Sequence, residues 1–265
     1  MSPDTITVAM PYWRTPATIA RAAESILAQT HTALRLVVVN DGDTETPPWP
    51  TLAHIADPRL VRFDLTVNQG RYFADAVTLA ACDTPWFAIC DADDWAEPGW
   101  LEASIREANH GGLDVVYAPQ WVHAGEAQPG HLEPVGAFDR HRRHLVHVAH
   151  HAALYRTSAL RAIGGPHPGF RIGYDTLMAH LMALTCRAGA LDRPFYHRVI
   201  RAGSLTTSPA TGYGSACRVG NAARLQALYD ACRAARSAAP AIADMPAQLR
   251  AEVEAEAARL RKDMA

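Results

Sequence analysis

The chain has little cysteine and arranges it for no framework. Cys82, Cys90, Cys186, Cys217 and Cys232 make an odd set, and no two are separated by two residues. A disulfide scaffold and a structural zinc site are therefore not what organises the fold. Long hydrophobic runs are also missing: no stretch reaches the ~18 uninterrupted apolar residues of a spanning helix. The opening MSPDTITVAMPYW has no basic start followed by an apolar run of signal-peptide length. Charge of one sign is not in excess, with a formal net charge of −2 and a pI near 6.7. That balance offers no electrostatic basis for a nucleic-acid partner. Internal repeats are absent. These absences lead to the expectation of a soluble cytoplasmic protein without a transmembrane segment.

What is present is an ordinary globular composition: 265 residues, 49% apolar and 20% charged, enough to bury a sizeable core. Short β-like runs alternate with helical ones through the first 120 residues. Ile6 to Met10 reads as a strand. Thr15 followed by Pro16 reads as a helix start, with Ile19, Ala22, Ala23, Ile26 and Leu27 on one face. LRLVVVN, from Leu34 to Asn40, is the near-continuous apolar run of a strand covered on both faces. Leu60 to Leu65, Trp86 to Cys90 and Val115 to Tyr117 read as further strands. Helices are expected over Tyr72 to Ala81 and from Glu97-Pro98 to about Asn109. This alternation predicts an α/β fold: a Rossmann-like, mostly parallel sheet flanked by helices.

The second half is less regular. His123 to Arg143 reads as loop and His144 to Tyr155 as a strand. Ser158 to Ile163 reads as a short helix, Tyr174 to Ala188 as a longer one, and Phe195 to Val199 as a strand. The division expected is a main domain over 1–212, with one half about 5–120 and the other about 121–212. A helical extension over 213–265 follows, in which Leu249, Val253, Leu260 and Met264 share a stripe. That extension is expected to pack back on the domain, with a homodimer surface, an acceptor lid or a membrane-surface contact as its alternatives.

In open parallel sheets ligands bind beyond the carboxyl ends of the strands. Three suggestive clusters fall there: Pro11-Tyr12, Asp41-Gly42-Asp43, and Asp91-Ala92-Asp93-Asp94. Carboxylates crowded this closely repel one another unless a cation or a shared proton intervenes. Hard oxygen ligands of this kind select Mg²⁺ or Mn²⁺, which keep open positions for diphosphate oxygens.

Six segments in order carry a family resemblance: VAMPYWRTPATIARAAESILAQT, LVVVNDGD, NQGRYFADAV, WFAICDADDW, GGPHPGFRIGYDTLMAHLMA and YHRVIRAGSLT. Together they resemble the inverting, nucleotide-sugar-dependent glycosyltransferases of family 2, with the GT-A fold, over roughly residues 5 to 210. The resemblance implies a UDP- or dTDP-type sugar donor, a small-molecule or glycan acceptor, and a Mn²⁺ or Mg²⁺ cofactor. It places Pro11 and Tyr12 at the base, Asp41 at the base or ribose, and Gly70 and Arg71 near the diphosphate. Asp91, Ala92 and Asp93 would form the donor-side DXD motif, with Asp93 the main metal ligand and Asp91 beside it. Asp175 matches the catalytic base. The family usually carries two consecutive acids there, and this chain has Tyr174-Asp175. Where many relatives carry histidine, Arg201 stands; always protonated, it cannot ligate a metal and would contact the diphosphate. His150, His151 and Trp95 are the acceptor-side candidates, and His197 a distant substitute ligand.

Two other functions were weighed. Nucleotidyl transfer would require a glycine-rich, basic loop after the first strand, where Met10-Pro11-Tyr12-Trp13 stands. A non-catalytic nucleotide-sugar-binding relative or scaffold fits the Tyr174 and Arg201 departures, whereas Asp93 and Asp175 are retained.

Overall fold

The computed structural model describes residues 4–125, 129–136, 141–148 and 150–264. The main sheet begins with β1 (Ile6–Tyr12), followed by α1 (Ile19–Leu27), β2 (Leu34–Asn40), β3 (Leu60–Asp64), α2 (Arg71–Ala81) and β4 (Trp86–Ile89). Next come β5 (Trp95–Ala96), α3 (Trp100–Gly111), β6 (Val115–Tyr117), β7 (Gln120–His123) and β8 (His131–Glu133). The chain continues through β9 (Ala153–Arg156), α4 (Thr157–Ala162), α5 (Tyr174–Thr185), β10 (Ala188–Ala190) and β11 (Tyr196–Val199). It closes with α6 (Ala216–Ala235), α7 (Ala239–Asp244) and α8 (Ala247–Met264).

The expected α/β architecture is present. Among the described residues one sheet runs β10-β6-β9-β4-β1-β2-β3 and a second runs β5-β11-β7-β8. β1 pairs in parallel with both β2 and β4, and β2 with β3. β9 lies antiparallel between β4 and β6. The register sets Tyr12 opposite Asn40 and Ala9 opposite Ile89, so β1, β2 and β4 end on one edge. β2 is buried at every position but Arg35, as its valine run requires. The apolar stripe of α1, Ile19, Ala22, Ala23 and Ile26, is buried against the same core.

Several local readings need correction. Thr15 and Pro16 form a turn ahead of α1, which starts at Ile19 with Thr18 as its N-cap; the Thr18 hydroxyl instead donates to the Ala92 carbonyl at 2.8 Å. Of the strand expected over His144 to Tyr155, only the end forms β9. Upstream, the Leu145 N–H donates to Gln226 Oε1 and the Val146 backbone meets His180 Nε2, so side chains of α6 and α5 replace a strand ladder. Residue 149 lies outside the described residues. The segment read as loop from His123 contains β8, which pairs with β7; residues 126–128 and 137–140 of it lie outside the described residues. α5 ends at Thr185, and Ala188–Ala190 joins the sheet beside β6.

The C-terminal helices are built into the domain. Leu225, Tyr229 and Cys232 of α6 share a core with Leu177 and Met178 of α5. Val253, Ala257 and Leu260 of α8 share another with Val37, Val39, Phe63 and Phe73. The stripe read from the sequence is thus turned inward, with Leu249 and Met264 packed at its edges. No helix of the described residues is long and apolar enough to cross a membrane. Leu260 is fully buried, so Leu260→Ala is expected to cost about 2–5 kcal/mol in urea unfolding. Glu254→Ala on the exposed face of α8 is expected to stay within about 0.5 kcal/mol.

Candidate active site

A cavity of about 740 Å³ opens at the carboxyl ends of β1, β2 and β4, a size suited to a small-molecule ligand. It collects Pro11, Tyr12, Asp41, Gly70, Arg71, Asp91, Ala92, Asp93, His150, His151, Asp175 and Arg201. The sheet topology explains this: strand ends distant in sequence finish on one edge, and the loops after them face one another. Trp95 is elsewhere. It stacks on His197 with ring centroids 4.6 Å apart and on His123 at 5.1 Å, with the Arg21 guanidinium 4.2 Å from the indole centre. Strand β5 points it into this stack, away from the cavity wall, because its backbone pairs with β11. His197 is held in the same stack and does not line the cavity.

Asp91, Asp93 and Asp94 bring carboxylate oxygens within 4.8 Å of one another. Their partners differ. Arg71 grips Asp91 through two nitrogens, each 3.0 Å from one oxygen. Arg201 Nε donates to Asp93 Oδ2 at 2.7 Å. Asp94 is committed to the fold: Oδ1 accepts from the Val199 N–H at 2.8 Å and Oδ2 from the Tyr196 hydroxyl at 3.0 Å. The Tyr196 oxygen in turn accepts from the Asp91 N–H at 3.1 Å. Burial, then the charges of Asp93 and Asp91, push Asp94 well above the ordinary carboxylate range. Burial also raises Asp91, against the pull of Arg71.

On the donor side, Asp41 is already engaged by its own chain. Its oxygens accept from the N–H groups of Gln69 and Gly70 at 2.7 and 2.8 Å and from Asn68 Nδ2 at 2.9 Å. This ties the end of β2 to the turn that starts α2. Gly42 makes the approach possible: at φ +72° a Cβ would lie 2.5 Å from the Val67 carbonyl carbon. Burial lifts Asp41 to about 6 despite these donors. Tyr12 is fully buried beside the cavity and donates its hydroxyl to the Thr46 carbonyl. Below the main cavity a void of about 20 Å³ touches Arg71, Asp75 and Asp175. Both Asp75 oxygens lack a hydrogen-bond partner, and burial raises its pKa to about 7.

Asp175 sits in the first turn of α5, where the helix dipole favours a carboxylate. Its Oδ1 accepts from the Thr176 N–H at 2.8 Å, and its own N–H donates to the Tyr72 hydroxyl at 3.2 Å. His150 Nε2 lies 3.1 Å from Oδ2. Burial opposes ionisation, but His150 and Arg71 hold Asp175 well below the usual range, so it is a carboxylate at neutral pH. Burial pushes His151 well down, keeping it neutral.

Three wall residues escaped the sequence reading. Trp13 adjoins Tyr12; Arg171 donates to Asn68 Oδ1 at 3.3 Å; Arg198 faces Asp91. Arg171 and Arg198 lie inside the two motifs that contain Asp175 and Arg201, and their basic character was the available signal. Arg218, Asn221 and Gln226 of α6 also line the cavity, so the helical extension contributes to the site.

Two outcomes follow from this wiring. Tyr196→Phe removes the hydroxyl that joins Asp91 to Asp94 in a dry setting and is expected to cost about 1–3 kcal/mol in thermal or urea unfolding. The folded-state pKa of Asp75, about 7, lies above the ordinary aspartate value of 3.8. The folded protein therefore binds the extra proton, and Asp75 makes stability fall as pH rises across that window. Asp75→Asn is expected to flatten this decline, read as melting temperature against pH.

Comparison with known proteins gives the family and the fold. The sequence model described as glycosyl transferase family 2 matches residues 7–164. A succinoglycan biosynthesis protein, ExoO, of Rhizobium meliloti is 35% identical over 98 residues, 37% of this chain and 28% of that protein. An uncharacterised glycosyltransferase of Haemophilus influenzae is 32% identical over 92 residues, 33% of this chain and 27% of that protein. The matches thus span little more than a quarter of these relatives' own length. Among solved structures, S. aureus TarS 1-349 in complex with UDP-GlcNAc superposes with a TM-score of 0.69 at 18% identity, covering 98% of this chain and 73% of that one. The complex of the same protein with UDP gives 0.66 at 18% identity, covering 86% and 68%. This likeness shows the GT-A fold. With more than half of its length matched by the family's sequence model, the chain belongs to glycosyl transferase family 2.

Proposed function

We propose that the protein transfers a glycosyl group, with inversion, from a nucleoside-diphosphate sugar to an acceptor hydroxyl. The observation that carries this reading is the shared cavity: Asp175 on one wall and the Asp91–Asp93 pair on another face the same space in a family 2 chain. Inversion needs a base on the side of the anomeric carbon opposite the leaving group. Asp175, ionised and held by Thr176 and His150, suits that role. As it takes the acceptor proton, the acceptor oxygen bonds to the anomeric carbon. The bond to the diphosphate breaks, and its electron pair leaves on the diphosphate oxygen. TarS complexes with UDP and UDP-GlcNAc favour a UDP-type donor. Tyr12, Trp13 and Asp41 would receive the nucleoside. Arg71, Arg171, Arg198 and Arg201 would face the diphosphate, where guanidinium forks match phosphate oxygens.

The donor set also suits a hard divalent cation: hard carboxylate oxygens lie within 4.8 Å of one another. Asp93, with Asp91, would hold Mn²⁺ or Mg²⁺. The ion's chemistry there would be to neutralise charge gathering on the departing diphosphate. Arg201 and Arg71 now occupy those carboxylates. This supports a second reading, in which the arginines hold the diphosphate without metal.

Melting temperature measured with UDP, GDP, dTDP, CMP and ATP, each with Mn²⁺ or EDTA, separates these readings by mass action. UDP is expected to stabilise the protein with Mn²⁺, and the shift is expected to vanish in EDTA and in Asp93→Ala. An equal shift in EDTA overturns the metal role. No shift with any nucleotide overturns the donor site. Asp175→Asn is expected to keep the UDP shift and lower kcat about 100- to 10,000-fold.

A further inference from the structure

His150 lies on a segment with no regular structure, 8% exposed, against the side chain assigned as the base. Its two ring nitrogens both face groups that accept hydrogen bonds. Nδ1 is 2.7 Å from the Val148 carbonyl oxygen, and a carbonyl has no proton to give, so Nδ1 carries the hydrogen. Nε2 is 3.1 Å from Asp175 Oδ2. With Nδ1 spoken for, neutral His150 turns a bare lone pair toward a carboxylate. The gap between Nε2 and Oδ2 is therefore a place where one proton is strongly attracted. The contact has ion-pair distance but lacks directed hydrogen-bond geometry, as catalytic contacts do before ligand closes the site.

We propose, resting on the transferase reading above, that Asp175 and His150 act as one base: the proton leaving the acceptor hydroxyl passes through the Asp175 carboxylate and comes to rest on His150 Nε2. The acceptor O–H bond breaks as its oxygen bonds to the anomeric carbon, and the sugar–diphosphate bond breaks with its electron pair on the leaving oxygen. The proton crosses from Oδ2 to Nε2, and the other hydrogen stays on Nδ1, donated to the Val148 carbonyl oxygen. The imidazolium–carboxylate pair then returns its proton to water once product leaves. His150 acts through Asp175 and is a positioning residue. The depression of Asp175 by His150 is consistent with this, since it places the proton on the ring and not on the carboxylate.

Other charged or titratable groups line the space around the pair. They are Arg71, Tyr72 and Asp75 on α2, Asp91 after β4, Tyr155 on β9, and Tyr196 and Arg198 on β11. His151 stacks on the His150 ring at 4.2 Å, and His147 meets it edge-on at 5.9 Å. His147 Nε2 is itself 2.8 Å from Glu133. The cations Arg71 and Arg198 oppose a charge on His150, whereas Asp175 favours it and is the group in contact.

The test is histidine ¹⁵N NMR on the full chain between about pH 5 and 8, with the His150 signal assigned from its loss in His150→Gln. Neutral His150 is expected in the Nδ1–H tautomer, and its Nε2 resonance is expected to move in Asp175→Asn, which removes the charge facing it. An Nε2–H tautomer, or an Nε2 resonance unmoved in Asp175→Asn, overturns the proposal. This readout needs no donor or acceptor, so it decides the proton sharing even where the nucleotide panel refutes the transferase reading. With turnover in hand, kcat is expected to rise with pH along an acid limb. That limb is expected to disappear in His150→Gln with the UDP shift intact. A limb that persists in His150→Gln identifies His150 as packing alone.

Discussion

The site depends on one buried carboxylate whose two oxygens are both bonded within the fold. Asp94, only 2% exposed, ties the loop after β4 to β11 through the Val199 N–H and the Tyr196 hydroxyl. The same hydroxyl accepts from the Asp91 backbone. A short loop carrying this many acids would otherwise splay apart under its own repulsion. Held at its last residue, it presents Asp91 and Asp93 on one side while Asp94 faces inward. Burial and its acidic neighbours raise its pKa, against the two hydrogen bonds it accepts.

The remaining charges are balanced by arginines drawn from remote parts of the chain. Arg71 opens α2 and Arg201 follows β11, and each neutralises one aspartate. A cavity with paired charges of both signs is costly to desolvate when only one partner is present. It is also ready to exchange partners with a ligand that is itself charged. In the proposed reaction a diphosphate would attract the arginines as a cation took the carboxylates. The same logic governs Asp175, which draws on a helix N-terminus and a histidine from an irregular segment. Both clusters are therefore poised by pairs that ligand and proton can rearrange.

The sequence made much of this legible. The valine run of β2, the helical stripe of α1 and the acids after β4 report local periodicity and local turn chemistry, which survive folding unchanged. The burial of Val253 and Leu260 was visible as a stripe, because a helix with one apolar face must cover it. What was illegible was pairing at a distance. β8 has only three residues, too few for a period, and exists through its ladder with β7. The segment before β9 has strand-like residues, yet Gln226 and His180 satisfy its backbone. Trp95 looked like a ligand-facing aromatic beside the acidic motif, and β11 drew it into a stack with His197 instead.

By itself the sequence determined the layered α/β fold, the edge on which the strand ends gather, and the residue types able to do chemistry there. Those follow from backbone periodicity and from the short list of side chains that ionise or bind phosphate. Only the tertiary structure decided which of those side chains are spent on the protein itself. Asp94 and Asp41 hold loops, Arg71 and Arg201 hold aspartates, and His150 faces Asp175. The reason is that a charge's role is set by its burial and its nearest partner, and for these residues the partner lies up to 108 positions away along the chain.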